Sequence, residues 1–288
     1  MTGTIVLTLV AAVPAQAQDS LDASIRIGFV APGPGVDSTI RHAAIRGAQM
    51  GATEALRMAM LLGRGLELVT VEFGEGGPNS AVDRLVDLGA FAVVGGYDSR
   101  ECRELAEASE RAGLLFFNAG CRDDELRGSS CRRTTFHVAM SDAMAEDAVG
   151  MSDRARTVVE WHPGLFRFGA RQVNDRFLKR YGEAMTAEAW TTWLAVKVLA
   201  ETAMRLPALD RSALIAHFES DVVRIDGHKG VPLSFRSWDH QLRQSLYRLD
   251  AGGEIVDTVP GDADDADPRL ALDQLGTSAT ETGCRFEP

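Results

Sequence analysis

The sequence predicts an α/β fold built on a doubly wound parallel sheet. From residue 24 to residue 137, short apolar segments of strand length alternate with longer amphipathic segments of helix length. The short segments are almost continuously hydrophobic, as strands must be when helices cover both faces of a sheet. Turns rich in Gly and Pro separate the segments. The alternation therefore predicts successive βα units around one sheet.

The individual elements follow in chain order. Strands are predicted at 25–30, 66–71, 91–96, 114–117 and 134–138, with helices between them. Ser99 is the expected N-cap of the helix after the third strand, because serine hydroxyls accept hydrogen bonds from the first free N–H groups of a helix. After residue 140 the regular alternation of strands and helices ends. A single strand is predicted at 157–161, with helices at 142–151, 169–180, 186–205 and 212–219. Aromatic and aliphatic residues between 235 and 249 predict a β-ribbon.

The amino-terminal segment predicts export. An apolar run at residues 5–13 is followed by Pro14 and the small-residue motif Ala15-Gln16-Ala17, as in a signal peptide cleaved after Ala17. The run is shorter than the roughly 20 residues that a membrane-spanning helix needs. A buried strand is the alternative. We expect a periplasmic protein that does not span the membrane.

Charge and cysteine content limit the partners and the crosslinks. The formal net charge of −11 argues against a nucleic-acid partner, which would require a basic surface. The four cysteines, Cys102, Cys121, Cys131 and Cys284, allow three pairings that sequence alone does not separate. Because Cys121 and Cys131 flank a short polar loop, a disulfide between them is the favoured prediction, and the pairing of Cys102 and Cys284 stays open.

Several motifs together resemble type I periplasmic binding proteins, the fold of the branched-chain amino-acid receptors of ABC importers. The segments that match the amino-terminal lobe of that family are 93–96, before a capped helix, and 116–119. A subgroup of substrate-binding components, linked to alcohol dehydrogenases dependent on pyrroloquinoline quinone (PQQ), is similar over most of residues 24–250. The segments that carry this second resemblance are 121–127, 136–139, 142–144, 193–197 and 235–244.

The resemblance implies a function and a partner. It implies a non-enzymatic protein that carries a small ligand to an ABC permease, with a PQQ-dependent dehydrogenase as a further candidate partner and no cofactor of its own. Two-lobed members of the family have a complete second lobe before the long helix at 186–205. Only residues 142–185 lie in that interval here, whereas an independent lobe needs roughly 100 residues or more.

We therefore predict a truncated second lobe. The expected divisions are a signal peptide at 1–17, an α/β lobe at 18–140, a remnant of the second lobe at 141–185, and carboxy-terminal helices and a β-ribbon at 186–288 that return to the first lobe. An alternative function follows from the truncation, namely a scaffold for the dehydrogenase or permease that no longer captures a ligand.

The candidate ligand site lies where the third and fourth strands end, because ligands of open parallel sheets bind outside the carboxyl ends of the strands. Family members use the loop after the third strand for ligand contact, which points to Gly96, Tyr97, Asp98 and Ser99. The next strand end adds Asn118, Ala119 and Gly120. The alternative is that these residues only form turns and cap a helix.

Other chemistries have less support. The loop at 32–35 has prolines where a dinucleotide-binding loop needs backbone N–H donors. The sequence carries no GxSxG, HExxH or Walker motif, which argues against an enzyme. Carboxylates at 123–125 and 262–267 could ligate a hard cation such as calcium, but neither group matches a known loop pattern, so no metal site is assigned.

Overall fold

A computed structural model describes residues 24–150, 157–261 and 268–286. The predicted signal peptide and the acidic segment at 262–267 lie outside the described residues.

A five-stranded parallel sheet forms the centre of the fold, as predicted. Its strands have the spatial order β2-β1-β3-β4-β5. The chain turns from β1 to β2 on one side and then crosses to β3 on the other, so the strand order switches between β1 and β3. The bounds are β1 Ile25–Val30, β2 Leu66–Val71, β3 Ala92–Gly95, β4 Leu115–Asn118 and β5 Thr135–His137.

Helices cover both faces of this sheet, which confirms the doubly wound prediction. Helices α1 (Ser38–Leu61) and α6 (Ala187–Arg205) share a core cluster with Ile27 and Phe29 of β1. Helices α2 (Gly77–Asp87) and α3 (Ser99–Arg111) pack on the other face, against residues such as Val93. Alternate residues of a strand point to opposite faces, and nearly continuous apolar strands therefore supply both clusters.

The two helices of the first face pack unusually closely. A Cβ atom on Gly47 of α1 would lie 2.2 Å from the carbonyl oxygen of Ala189, and one on Gly51 would lie 3.0 Å from that of Trp193. Only glycine permits the α6 backbone to approach α1 at these points. This packing fixes the first turns of α6 beside the carboxyl ends of the strands.

The rest of the chain adds a second, smaller sheet. It contains β6, β9 and β10 in the order β10-β9-β6, all antiparallel, and a separate two-stranded ribbon pairs β7 with β8. The predicted β-ribbon is thus confirmed, whereas the predicted domain divisions stay a prediction. The bounds are α4 Asp142–Gly150, β6 Thr157–Val159, α5 Ala170–Tyr181, α7 Arg211–Glu219, β7 Ser234–Phe235, β8 Leu242–Arg243, β9 Leu246–Leu249, β10 Ile255–Val259 and α8 Pro268–Leu272.

The predicted disulfide between Cys121 and Cys131 is wrong. Cys131 is bonded to Cys284 instead, and Cys121 is a buried free thiol. The reason lies in Arg127, which is buried inside the loop and donates to the carbonyl oxygens of Asp123 and Ala139, both at 2.8 Å. The loop wraps around this guanidinium, so Cys121 points into the core while Cys131 meets the carboxy-terminal segment.

None of the helices in the described ranges has the length and apolar character needed to cross a bilayer.

Candidate functional site

The two predicted ligand loops lie side by side at the carboxyl edge of the sheet. Parallel pairing of β3 with β4 sets Gly95 opposite Asn118. Beyond the strands, the N–H of Ala119 donates to the carbonyl oxygen of Gly95 at 2.9 Å. A Cβ atom on Gly120 would lie only 2.4 Å from Cδ1 of Tyr97, so the loops are in direct contact. We call residues 96–99 and 118–120 the rim.

Gly96 and Asp98 set the conformation of the first rim loop. Gly96 has a φ of +82°, and a Cβ atom there would lie 2.8 Å from Sγ of Cys102, so the turn requires glycine. Asp98 then caps α3, accepting from the N–H groups of Arg100 and Glu101 at 3.0 and 3.2 Å. The prediction that Ser99 caps this helix is wrong, because Ser99 is already the first helical residue and Asp98 has the extended backbone of an N-cap.

The amino-terminal turns of α6 hold both rim loops in place. The hydroxyl groups of Tyr97 and Thr192 are 2.7 Å apart, within hydrogen-bonding distance. Burial raises the pKa of the Tyr97 phenol, which therefore stays protonated. The neighbouring Thr191 donates to the carbonyl oxygen of Ala119 at 2.6 Å. The rim is thus anchored to the same helix that packs tightly on α1.

The side chain of Asn118 holds the second rim loop together from inside. Its side chain is fully buried, and its Oδ1 accepts from the N–H groups of Gly120 and Cys121 at 3.2 and 2.9 Å. Its Nδ2 donates to the carbonyl oxygen of Cys121 at 2.7 Å and lies 3.0 Å from Nδ1 of His137. All of the hydrogen-bonding groups of this amide are therefore used within the fold.

The seven predicted residues thus divide into two groups. Gly96, Asn118 and Ala119 are buried and shape the loops. Of the others, Asp98 and Ser99 are exposed, whereas Tyr97 and Gly120 are half-buried. The residues of this second group are the ones that a small molecule at the rim can reach.

Sequence reasoning missed Glu101, which lies between the loops after β1 and β3, where the strand order switches. The N–H of Gly33 donates to its Oε2 at 3.3 Å. Burial raises the pKa of the Glu101 carboxyl to about 7, although this hydrogen bond opposes the shift. The spacing of Asp98 and Glu101 is that of a capping box, a pattern that could have drawn attention to this residue.

The rim therefore offers oxygen atoms to a ligand. An exposed hydroxyl, a phenol and two carboxyl groups, one of them buried, surround the junction of the loops. Such groups bind hydrogen-bond donors, including ammonium and hydroxyl groups of small solutes.

The carboxylates at 123–125 already have partners within the protein. Asp123 pairs with Arg103 at 3.1 Å, and Asp124 accepts from the N–H of Ala143 at 3.2 Å. Within the part of the chain that the structure describes, no group of three or more His, Cys, Asp or Glu residues is placed to hold a metal ion.

Two surface cavities lie away from the rim, beside α7. One, of about 320 Å³, is lined by residues such as Glu110, Arg133 and Arg211, and the other, of about 520 Å³, includes His217 and Val223. Arg133 precedes β5, so the first cavity is at the amino-terminal edge of the sheet, opposite to the rim. Neither cavity contains a predicted site residue.

Comparison with known proteins supports the fold that these elements define. Residues 24–152 match the model of the family described as periplasmic binding protein. This segment contains β1 to β5 and both rim loops. Comparison with curated protein sequences gives no match.

Solved structures of binding proteins are similar over most of the chain. A periplasmic binding protein from Burkholderia mallei has a TM-score of 0.73 at 13% identity, with 91% of this chain and 98% of that chain covered. An amino acid ABC transporter substrate-binding protein from Pseudomonas fluorescens has a TM-score of 0.71 at 12% identity, with 92% and 100% covered.

A third structure contains a ligand. It is the branched-chain amino acid transporter substrate-binding protein of Streptococcus pneumoniae in complex with isoleucine, with a TM-score of 0.66, 12% identity, and 82% and 98% of the two chains covered. The protein thus has the α/β fold of type I periplasmic binding proteins. All three of these similar structures are binding proteins.

Proposed function

We propose that this protein is the periplasmic solute-binding component of an ABC transport system and that it holds a small polar ligand at the rim. The observation that carries the proposal is the pairing of Gly95 with Asn118, which brings the two rim loops together at the carboxyl edge of the sheet. That edge is where open parallel sheets bind ligands. The family match over the same residues and the similar binding proteins support it.

The rim favours a ligand that carries hydrogen-bond donors. Asp98 and Ser99 are exposed beside the half-buried Tyr97, and the buried Glu101 lies behind them. An amino acid presents an ammonium group to such oxygen atoms, and an alcohol presents a hydroxyl group. The structure of the Streptococcus pneumoniae protein contains isoleucine, so branched-chain amino acids belong among the first ligands to test.

The transport system is proposed to serve periplasmic alcohol oxidation by a PQQ-dependent dehydrogenase. The support is the resemblance of segments 121–127 and 235–244 to the subgroup linked to such enzymes. The ligand panel therefore includes amino acids, short alcohols, aldehydes, PQQ, calcium and lanthanide ions.

Calorimetry of the full chain against this panel tests the proposal. We expect one class of solute to bind, and we expect Ser99→Ala and Tyr97→Phe each to weaken binding about 5- to 10-fold, the loss of about one hydrogen bond. Ser212→Ala, beside the cavity at the opposite edge, is the matched control and should bind like the parent chain. Equal loss in all three variants would contradict a ligand site at the rim.

A second candidate is a scaffold for the permease or dehydrogenase. The observation in its favour is the second sheet, which has three strands within the described residues and so offers little surface to close over the rim. The same panel separates the two functions. No response to any solute, together with a stable complex with the permease or dehydrogenase in a pull-down, would replace the binding function with the scaffold.

A further inference from the structure

Two of the four cysteines are free thiols that contact each other beneath the rim. Cys102 lies one turn into α3 and Cys121 lies three residues beyond β4, and both are buried. Each thiol shifts the pKa of the other, so the two side chains are direct neighbours. The contact joins the helix that follows the first rim loop to the end of the second.

The surrounding structure holds both thiols in position. Ser99 and Cys102 are three residues apart and so share one face of the helix, and Sγ of Cys121 lies 3.9 Å from Oγ of Ser99. On the opposite side, the side chain of Asn118 binds both the N–H and the carbonyl oxygen of Cys121. The contact is therefore part of the rim architecture.

The chemical environment activates one of the pair. The hydrogen bond from Cys102 lowers the pKa of the Cys121 thiol to about 7, although burial opposes the shift, and the nearby guanidinium of Arg127 lowers it further. The thiolate is the species that attacks a disulfide, so Cys121 is the nucleophile of the pair and Cys102 the resolving thiol.

We propose that Cys102 and Cys121 form a second disulfide, which locks α3 to the loop after β4 in an oxidising compartment. The remaining cysteines already form Cys131–Cys284, so this pair completes one of the three possible connectivities. A chain that maintains one disulfide experiences oxidising conditions, in which further disulfides can form and persist.

The oxidant is another disulfide, either oxidised glutathione or that of a thiol–disulfide oxidoreductase. The Cys121 thiolate attacks one sulfur of the oxidant, forms a mixed disulfide and releases one thiolate. The Cys102 thiolate then attacks Sγ of Cys121 and releases the second. Two thiols of the protein thus lose two electrons and two protons, and the oxidant is reduced to two thiols. Because both side chains are buried in the folded chain, we expect the oxidant to reach Cys121 late in folding, when the loop has formed around Arg127 but the surface above the thiols is still open.

Thiol trapping in a glutathione redox buffer tests the proposal on the full chain. The reduced, unfolded protein is refolded in the buffer, quenched with acid, alkylated under denaturing conditions and mapped by peptide mass spectrometry. Cys131–Cys284 is the internal standard, and the oxidant is increased until that bond is complete. We expect a linked Cys102–Cys121 peptide and no alkylated cysteine.

Variants make the result specific. Cys121→Ser should leave Cys102 alkylated in full, whereas Ser212→Ala, at the opposite edge of the sheet, should leave the linked peptide unchanged. Recovery of Cys102 and Cys121 as alkylated or glutathionylated residues while the standard is complete would overturn the proposal, and so would a bond from either residue to Cys131 or Cys284. The mapping of the parent chain decides the question even if a variant fails to fold.

Discussion

Replacement of Asn118 by alanine should destabilise the protein strongly although it changes only one small polar side chain. Asn118 is fully buried and has two acceptor contacts, from Gly120 and Cys121, and two contacts through Nδ2, to Cys121 and His137. Each buried hydrogen bond contributes about 1 kcal/mol, and each buried group left without a partner costs about 1 to 3 kcal/mol. Since several of these backbone groups would lose their partner together, we expect the free energy of unfolding to fall by about 3 to 5 kcal/mol.

Equilibrium unfolding in urea measures this loss. The matched control is Asn79→Ala, which removes an exposed amide that accepts one hydrogen bond from Arg111 at 2.6 Å. We expect that control to change the free energy of unfolding by less than about 0.5 kcal/mol. A loss below about 1 kcal/mol in Asn118→Ala, or a loss equal to that of the control, would refute the role of Asn118 as the residue that holds the rim loop.

Three further predictions concern charge and crosslinks. Burial raises the pKa of Glu101 to about 7, so ionisation of this carboxyl group costs stability as pH rises through that value. In urea unfolding, Glu101→Gln should therefore stabilise the protein by about 2 kcal/mol above about pH 8 and change little near pH 4. Equal effects at both pH values would contradict the assignment. Hydrogen bonds from His240 and then Arg133 lower the pKa of Glu219 to about 2. The stability that ionised Glu219 contributes is therefore present above its ordinary pKa of 4.5 and is lost as pH falls toward 2. Glu219→Gln should reduce the loss of stability in this acidic range, and an unchanged loss would show that other groups cause it. Cys131→Ser, made in a Cys121→Ser background so that no second disulfide can form, opens a crosslink that spans 153 residues of sequence and should cost about 4 to 5 kcal/mol by chain entropy. The loss should appear as a lower melting temperature that dithiothreitol no longer changes. A double variant as stable as the Cys121→Ser chain would show that the bond does not form.

The sheet was predictable from sequence because its strands are buried on both faces. Strands β1 and β2 begin and end at the predicted residues, and β3, β4 and β5 agree within one residue at each end. Continuous apolar segments between Gly-rich turns leave few alternatives, since any other arrangement would expose them. The contact between the two rim loops then follows from strand order alone.

The details of the site depend on contacts between residues distant in sequence. A serine at the start of a helix and an aspartate just before it are both good N-caps, and the backbone conformation of Asp98 decides between them. The disulfide was mispredicted for a similar reason. Cys284 is 153 residues from Cys131, and no local pattern shows that the carboxy-terminal segment returns to the loop around Arg127.

The burial of Glu101 could not be predicted from the sequence either. A glutamate on a helix is usually exposed, and only the approach of Gly33 from another loop shows that Glu101 is buried at the switch in strand order. Burial of a carboxyl group is a tertiary property, because it depends on which loop covers the helix.

Hydrogen–deuterium exchange with and without the solute selected by calorimetry tests the central claim most directly. If the rim holds the ligand, amide exchange should slow in the peptides that contain residues 96–99 and 118–120, and peptides around Arg211 and Ser212 at the opposite edge should be unaffected. Slower exchange around Arg211 with an unchanged rim would contradict the account, and so would the failure of every solute to bind.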